Sequence, residues 1–145
     1  FYTASGKVLL QQRADQKETF PGLWDVSVAG HVHAEETPLE AAQREIKEEI
    51  GLDLETGSLD FFGRSKNEQA HPGGNIDREF HYVYLSELKV PLEDLRPQEG
   101  EVAGLELRPL LRFSEEVWGL ANPARYVPHS REYYRTVIKA IQSRL

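Results

Sequence analysis

Three glutamates lie close together in the sequence at a spacing that would place them on one surface of a helix. Glu45, Glu48 and Glu49 are separated by intervals of three, one and, between the first and the last, four residues. Residues three and four apart are neighbours on a helix, and like charges there repel each other. The cluster therefore favours a bound cation, and grouped carboxylate oxygens suit Mg²⁺ or Mn²⁺ better than a thiolate-seeking metal.

The helix that must carry these glutamates has clear start and stop signals. Thr37 and Glu40 form a capping box, with Pro38 suited to the first helical position. Gly51 suits the position just after the last helical residue. Apolar residues at helical spacing predict the stripe that packs on a core; they are Leu39, Ala42, Ile46 and Ile50. The glutamates then lie on the flank of this stripe, facing a cleft.

An acidic helix is usually just a solvated surface, so the cluster needs further support. That support comes from a glycine and a glutamate upstream, Gly30 and Glu36, and from an arginine directly before the cluster, Arg44. These three residues and the helix start and stop signals would rarely occur together by chance at this spacing. A functional interpretation is therefore preferred.

The segment from Gly30 to Leu52, GHVHAEETPLEAAQREIKEEIGL, resembles the signature box of the Nudix hydrolases. It matches every fixed position of G-x5-E-x7-R-E-U-x-E-E-x-G-U, in which U is an aliphatic residue. The resemblance implies an α/β fold, an α/β/α sandwich with a mixed β-sheet between helices. It also implies Mg²⁺-dependent cleavage of a diphosphate linked to another moiety. The box covers 23 of 145 residues, so it indicates the reaction class and not the substrate.

The resemblance also implies roles for individual residues. Glu45, Glu48 and Glu49 become the metal ligands, and Arg44 a residue that orients Glu48. Glu36 supports the geometry between the loop and the helix. Glu48 is the first candidate for the general base. Two glutamates outside the box, Glu79 and Glu101, are further candidates. Each of these two could instead be an ordinary exposed carboxylate near the end of a strand.

A second resemblance concerns the segment before the box. Residues 9–14, Lys17 and residues 20–31 look like the isopentenyl diphosphate isomerase branch of the same superfamily. Arg13 and Lys17 match basic residues that hold the substrate diphosphate there, although both also fit simple solvated charges. His31 matches a metal-binding histidine, and Glu79 the second member of a metal-binding Glu-x-Glu pair.

One position departs from the isomerases. Where they carry a catalytic cysteine, this chain has Ala29, whose methyl group cannot transfer a proton. The isomerases also lack a full hydrolase box. The chain therefore resembles an isomerase-like Nudix hydrolase acting on a nucleoside diphosphate derivative or a prenyl-type diphosphate, and the residues do not distinguish these substrates. The alternatives are an isomerase, which Ala29 disfavours, and a non-catalytic ligand sensor.

Composition narrows the class of protein further. A length of 145 residues predicts a single domain over residues 1–145, and a start at Phe1 without methionine predicts that preceding residues are missing. A net charge of −7 argues against binding a nucleic-acid duplex. No apolar run is long enough to span a membrane, and the absence of cysteine excludes disulfides and thiol catalysis. A small-molecule diphosphate is the expected partner, the cytoplasm the expected location, and monomer and homodimer both stay open.

Periodicity and turn residues predict the remaining elements. Residues 66–77 are polar and rich in glycine, which indicates a long exposed loop. The closing helix begins at Ser130. His129, directly before it, could contact substrate, but a residue at the helix entry is the preferred interpretation. The segment 125–145 has no predicted chemical role. Strands are predicted at residues 7–13, 25–30, 59–64, 80–85 and 102–109, and two further helices at residues 114–120 and 130–145.

Overall fold

Five strands and three α-helices make up the computed structural model, which describes residues 1–119 and 123–145. The predicted end of the second helix at Leu120 lies outside these residues. Two short 3₁₀ turns occur at Leu92–Asp94 and Pro123–Arg125. The elements are β1 (Lys7–Arg13), β2 (Trp24–Val26), α1 (Pro38–Ile50), β3 (Asp60–Ala70), β4 (Ile76–Leu85), β5 (Val102–Pro109), α2 (Leu110–Val117) and α3 (Arg131–Gln142).

Strand β1 is the centre of a three-stranded sheet with the order β2-β1-β5, and its side chains alternate between two apolar clusters. Val8 and Leu10 join the cluster formed with α2 and α3, whereas Leu9 joins the one that contains Ile46 and Ile50 of α1. Alternation is the normal consequence of strand geometry. The sheet therefore lies between α1 on one side and α2 with α3 on the other, which confirms the α/β/α prediction.

The remaining two strands form a separate antiparallel hairpin, β3-β4, against which α3 packs. The predicted loop at residues 66–77 is wrong, because β3 continues to Ala70 and β4 starts at Ile76. Its polar composition was misleading: Asn67 turns into the protein and is buried, while Lys66 and Glu68 face solvent. Strand pairing in the sheets is antiparallel, and parallel contacts occur at the isolated bridges Tyr2–Glu87 and Trp24–Tyr126.

Helix α1 begins and ends as predicted. Thr37 and Glu40 form a complete capping box, and Gly51 adopts a left-handed conformation with φ 67°. The predicted apolar stripe is wrong at Leu39, which is 41% exposed, whereas Ala41 is buried. The reason is that the first turn of α1 borders a cavity, so only the second half of the helix packs on the core.

Three other predicted boundaries need correction. Strand β2 ends at Val26 and not at residue 30, because the chain leaves the sheet there to enter the loop before α1. Helix α2 begins at Leu110, where apolar residues continue directly from β5. Helix α3 ends at Gln142, so Leu145 is exposed and does not belong to its buried side. None of the helices within the described residues is long and apolar enough to cross a membrane.

Candidate functional site

A cavity of about 1130 Å³ opens between the three-stranded sheet and the hairpin. The loop before α1 and the glutamates of α1 line one part of it, and β4 lines another. The segment leading into α3 contributes a third part. The size is sufficient for a ligand as large as a nucleotide derivative.

Glu49 is the most buried of the three clustered glutamates. Only 8% of the residue is exposed, and its Oε2 accepts a hydrogen bond of 2.9 Å from Nε2 of Gln11. Burial raises the pKa of Glu49 to about 7, and the negative charge of Glu45 adds to this effect. A negative charge at this position is therefore costly unless a cation accompanies it.

Glu45 lies directly against the backbone of Gly30. A Cβ atom at Gly30 would lie 2.6 Å from Cγ of Glu45, which is closer than atoms can approach. The first glycine of the box is therefore needed because the loop passes over the Glu45 side chain without room for any substituent.

Arg44 connects the loop to the glutamates of α1. Its Nε and Nη2 donate to the two oxygens of Glu36 at 2.8 and 3.0 Å, and its Nη1 donates to Glu45 at 2.7 Å. The predicted contact with Glu48 is present but longer, 3.3 Å. The Arg44 guanidinium and the backbone N–H of His33 lower the pKa of Glu36 to about 2. Arg44 thus holds Glu36 and Glu45 more closely than Glu48, the residue it was expected to orient.

The three glutamates fit a hard divalent cation by chemistry and by position. All of them line the cavity, and Glu48 is the most exposed, with 48% of its side chain accessible. Burial and, to a smaller extent, the charge of Glu45 raise the pKa of Glu49, and a nearby positive charge would offset both effects. Among residues 1–119 and 123–145, however, no three histidine, cysteine, aspartate or glutamate side chains converge closely enough to form a ready metal cage. Bound metal would thus have to draw the carboxylates together.

Both basic residues expected to bind diphosphate line the same cavity. Arg13 donates from Nε to the carbonyl of Thr19 at 2.9 Å, which fixes the orientation of its guanidinium. Lys17 forms an ion pair with Glu101, which also lines the cavity. Glu101, one of the candidate bases, is therefore engaged with a cation in this structure.

Glu79, the other candidate base outside the box, lies on β4 between two histidines. Its Oε1 is 3.2 Å from Nε2 of His31, and its Oε2 is 3.3 Å from Nε2 of His81. The structure thus brings together Glu79 and His31, the two residues that matched the isomerase metal motif. Burial lowers the pKa of His81, and the neighbouring His129 lowers it further.

Sequence reasoning missed a group of buried polar residues in the same cavity wall. Asp25 is only 3% exposed, and its Oδ1 lies 2.8 Å from Nε2 of His129. His129 lies at the helix entry as predicted, directly before Ser130, which caps α3, and its imidazole also lines the cavity. The one available signal was Asp25 itself, an acidic residue in the middle of a short apolar strand.

The segment before α3, which had no predicted role, ties the two sheets together. The N–H of Val127 donates to the carbonyl of Trp24 on β2 at 2.9 Å. The N–H of Ser130 donates to Oδ1 of Asn67 on β3 at 3.0 Å. Because this segment crosses from one sheet to the other, it closes the cavity on the side where His129 lies.

Comparisons with known proteins show what this chain is similar to. The family model of the NUDIX domain matches residues 1–137. A Nudix hydrolase of Clostridium acetobutylicum is 33% identical over 92% of this chain and 75% of its own length. Nudix hydrolase 3 of Arabidopsis thaliana is 35% identical over 89% of this chain but only 17% of its own length. An isopentenyl-diphosphate Delta-isomerase of Serratia proteamaculans is 38% identical over 67% of this chain and half of its own.

The fold is also found among solved structures. The crystal structure of a MutT protein from Methanosarcina mazei superposes with a TM-score of 0.68 and 20% sequence identity. The match covers 99% of this chain and 88% of that protein. The likeness therefore extends over the whole fold, including the segment that closes the cavity.

Proposed function

The chain belongs to the Nudix hydrolase family, and from this premise we infer that it is a Mg²⁺- or Mn²⁺-dependent hydrolase of a diphosphate linkage. The substrate is a nucleoside diphosphate derivative or a prenyl-type diphosphate. One observation carries the proposal: Glu45, Glu48 and Glu49 line a cavity that Arg13 and Lys17 also line. Carboxylates for a metal and cations for a diphosphate therefore face the same space. A cytoplasmic location stays a prediction of the sequence.

Glu45, Glu48 and Glu49 would hold the metal, which neutralises diphosphate charge and lowers the pKa of a bound water. Arg13 presents a planar fork that matches phosphate oxygens, and Lys17 contributes a point charge. To reach the substrate, Lys17 exchanges its Glu101 partner for a phosphate oxygen.

Glu48 is the best candidate for the base that takes the proton from water. It is the most exposed of the three clustered glutamates, and its ion pair with Arg44 spans 3.3 Å. The oxygen of water attacks a phosphorus atom, its proton passes to the Glu48 carboxylate, and the bond from phosphorus to the bridging oxygen breaks. The two products each keep one phosphate. Glu79 is the second candidate because it also lines the cavity.

The two competing functions are less well supported. Ala29 lines the cavity and has no proton to give, which argues against isomerisation of a carbon skeleton. A ligand sensor has no need of a full set of box glutamates, and this chain retains all of them.

Incubation with Mg²⁺ and a panel of diphosphates tests the proposal. The panel contains nucleoside di- and triphosphates, sugar nucleotides, dinucleotides and isopentenyl diphosphate, and phosphate-containing products are measured. Glu48→Gln should abolish turnover, whereas Glu55→Gln makes the same charge change at an exposed residue outside the cavity and should not. Turnover that survives in the Glu48→Gln protein would refute this assignment of the base. Binding without turnover in the wild-type protein would favour a sensor.

A further inference from the structure

The outer face of the β3-β4 hairpin is rich in apolar side chains although it is exposed. On the other face of the hairpin, Ser65, Asn67 and Val83 are buried. A sheet with one face in solvent normally carries polar residues on that face. This outer face instead exposes large apolar side chains, each between 40% and 57% accessible; they are Phe61, Ile76, Phe80 and Tyr82. An exposed apolar surface of this kind, with charged residues beside it, is typical of a protein interface.

Cross-strand pairing arranges the outer face as five rows of two side chains. Residues directly opposite each other in an antiparallel pair share a face of the sheet. The ring of Phe61 lies 6.4 Å from that of Tyr82 and 5.5 Å from that of Tyr84, so the first row faces the same side despite the bulge after it. From the base of the hairpin to its tip, the rows are Phe61–Tyr84, Arg64–Tyr82, Lys66–Phe80, Glu68–Arg78 and Ala70–Ile76.

The charges on this face are complementary to those of a second copy of the same face. Two hairpins can pack face to face with their strands antiparallel, about a two-fold axis at the middle row, Lys66–Phe80. This axis exchanges the second row with the fourth, so Arg64 faces Glu68 of the second copy and Glu68 faces Arg64. A charge in an interface is favourable only where a partner offsets its desolvation. The symmetry supplies that partner twice.

The aromatic residues are complementary in the same arrangement. Tyr82 faces Arg78 of the second copy, which permits a cation–π contact. Tyr84 in the first row faces Ile76 in the fifth, so that aromatic and aliphatic surfaces cover each other. The rings of Phe80 from the two copies meet at the axis. Each row therefore finds a suitable counterpart in a second copy of the hairpin.

Lys66 is the one residue that faces its own like charge. Its Nζ lies 5.9 Å from the centre of the Phe80 ring, and the guanidinium of Arg64 lies 4.5 Å from the same centre. A lysine can cover an aromatic ring with its methylene groups and keep its ammonium group in water. The repulsion between the two Lys66 side chains is therefore small compared with the contacts of the other rows.

We propose that the outer face of the β3-β4 hairpin is a homodimer interface, in which two copies of the chain pack face to face about a two-fold axis at the middle row. The proposal goes beyond the proposed hydrolysis and does not depend on it. Phe80 and Tyr82 also line the cavity, so the second copy lies at the edge of the cavity. The face has ten residues, fewer than a standard interface, so the dimer should dissociate on dilution.

Sedimentation over a range of protein concentrations tests the dimer. The wild-type protein should approach twice the mass of one chain at high concentration. Arg64→Glu places like charges opposite each other at two points of the dimer and should raise the dissociation constant at least about tenfold. Arg135→Glu makes the same charge change at an exposed position of α3, which packs on the other face of the hairpin, and should leave the constant unchanged.

The absence of cysteine from the chain permits a test of the symmetry axis. The two introduced thiols of Lys66→Cys would face each other across sheets about 10 Å apart, so a bifunctional maleimide of that reach should link the chains. Ile76→Cys lies on the same face but two rows from the axis. Its two thiols would be on the order of 25 Å apart along the strands, and the same reagent should not link them.

Three results would overturn the proposal. A wild-type protein that is monomeric at every concentration would leave the face to a partner of another sequence. A dimer that Arg64→Glu does not weaken would place the interface elsewhere on the chain. Equal linking of the Lys66→Cys and Ile76→Cys proteins would contradict the axis at the middle row. Circular dichroism shows whether each variant folds, and Glu68→Lys, which creates the same repulsion from the opposite side, serves if Arg64→Glu does not.

Discussion

Two parts of the cavity hold polar side chains in opposite ways. One is the charged part with Glu48 and Lys17, and the other is a buried polar cluster formed by Asp25, Asn67, His81, His129 and Tyr133. Glu48 and Lys17 line the cavity with long, flexible side chains that are partly exposed. Asp25 and His129 are almost fully buried and fix each other through a hydrogen bond of 2.8 Å. Exposed charges can rearrange around a ligand, whereas buried and paired side chains keep a fixed position. The comparison teaches that one cavity combines side chains that are free to move with side chains that hold its wall in shape.

The largest expected effect comes from the charged part. Glu48→Gln should lower kcat by roughly 10²–10⁴-fold, the usual contribution of a general base, since an amide cannot take the proton from water. Steady-state kinetics with Mg²⁺ measure the change, with Glu55→Gln as the control. A loss of less than tenfold would favour Glu79 as the general base. Because Glu79 contacts His81 of the buried polar cluster, catalysis would then involve both regions.

Gly30→Ala should disturb the charged part without touching the cluster. The new methyl group would displace Glu45, and misplacement of a catalytic group by about 1 Å can cost on the order of 10²-fold in rate. Gly104→Ala is the matched control, because a Cβ there meets only ordinary contacts. Steady-state kinetics with Mg²⁺ measure the loss of rate. A rate in Gly30→Ala equal to that in Gly104→Ala would contradict the expected displacement of Glu45.

Substitutions in the two regions should change the free energy of unfolding in opposite directions. Without metal and above pH 7, Glu49→Gln should raise the free energy of unfolding on the order of 1 kcal/mol, because it removes a buried charge. Asn67→Ala should lower it by about 1–3 kcal/mol, because Ser130 N–H loses its acceptor. Denaturant unfolding in the presence of EDTA measures both values. A change of the free energy of unfolding in the same direction for both variants would contradict the difference between the two regions.

The smallest effect is expected at the Lys17–Glu101 ion pair. Exposed ion pairs contribute up to about 1 kcal/mol, so Glu101→Gln should free Lys17 and lower KM by no more than about fivefold. The value of kcat should stay constant. Glu99→Gln, at an exposed residue nearby, is the control. A collapse of kcat in Glu101→Gln would instead identify Glu101 as the general base.

Local signals explain what could be predicted of the fold. The capping box at Thr37 and the stop at Gly51 are encoded by neighbours in sequence, and both were located correctly. The inner parts of the hairpin strands were predicted, but their outer parts were missed, because the strand propensity of residues 66–70 is weak and their order depends on pairing with β4. Leu39 was assigned to the core because periodicity records which residues share a helix face, and not how far the packed surface extends along it.

The sequence by itself determined the family, the α/β class and the set of glutamates and basic residues that face the cavity. Those residues lie within short segments whose spacing specifies the chemistry. Only the tertiary structure decided that Asp25, Asn67, His81 and His129 share one cavity wall. These residues are far apart in the chain, and the contacts that join them arise from the packing of two sheets across the segment before α3. A one-dimensional pattern carries no record of such contacts, because they form only when distant segments of the chain pack together.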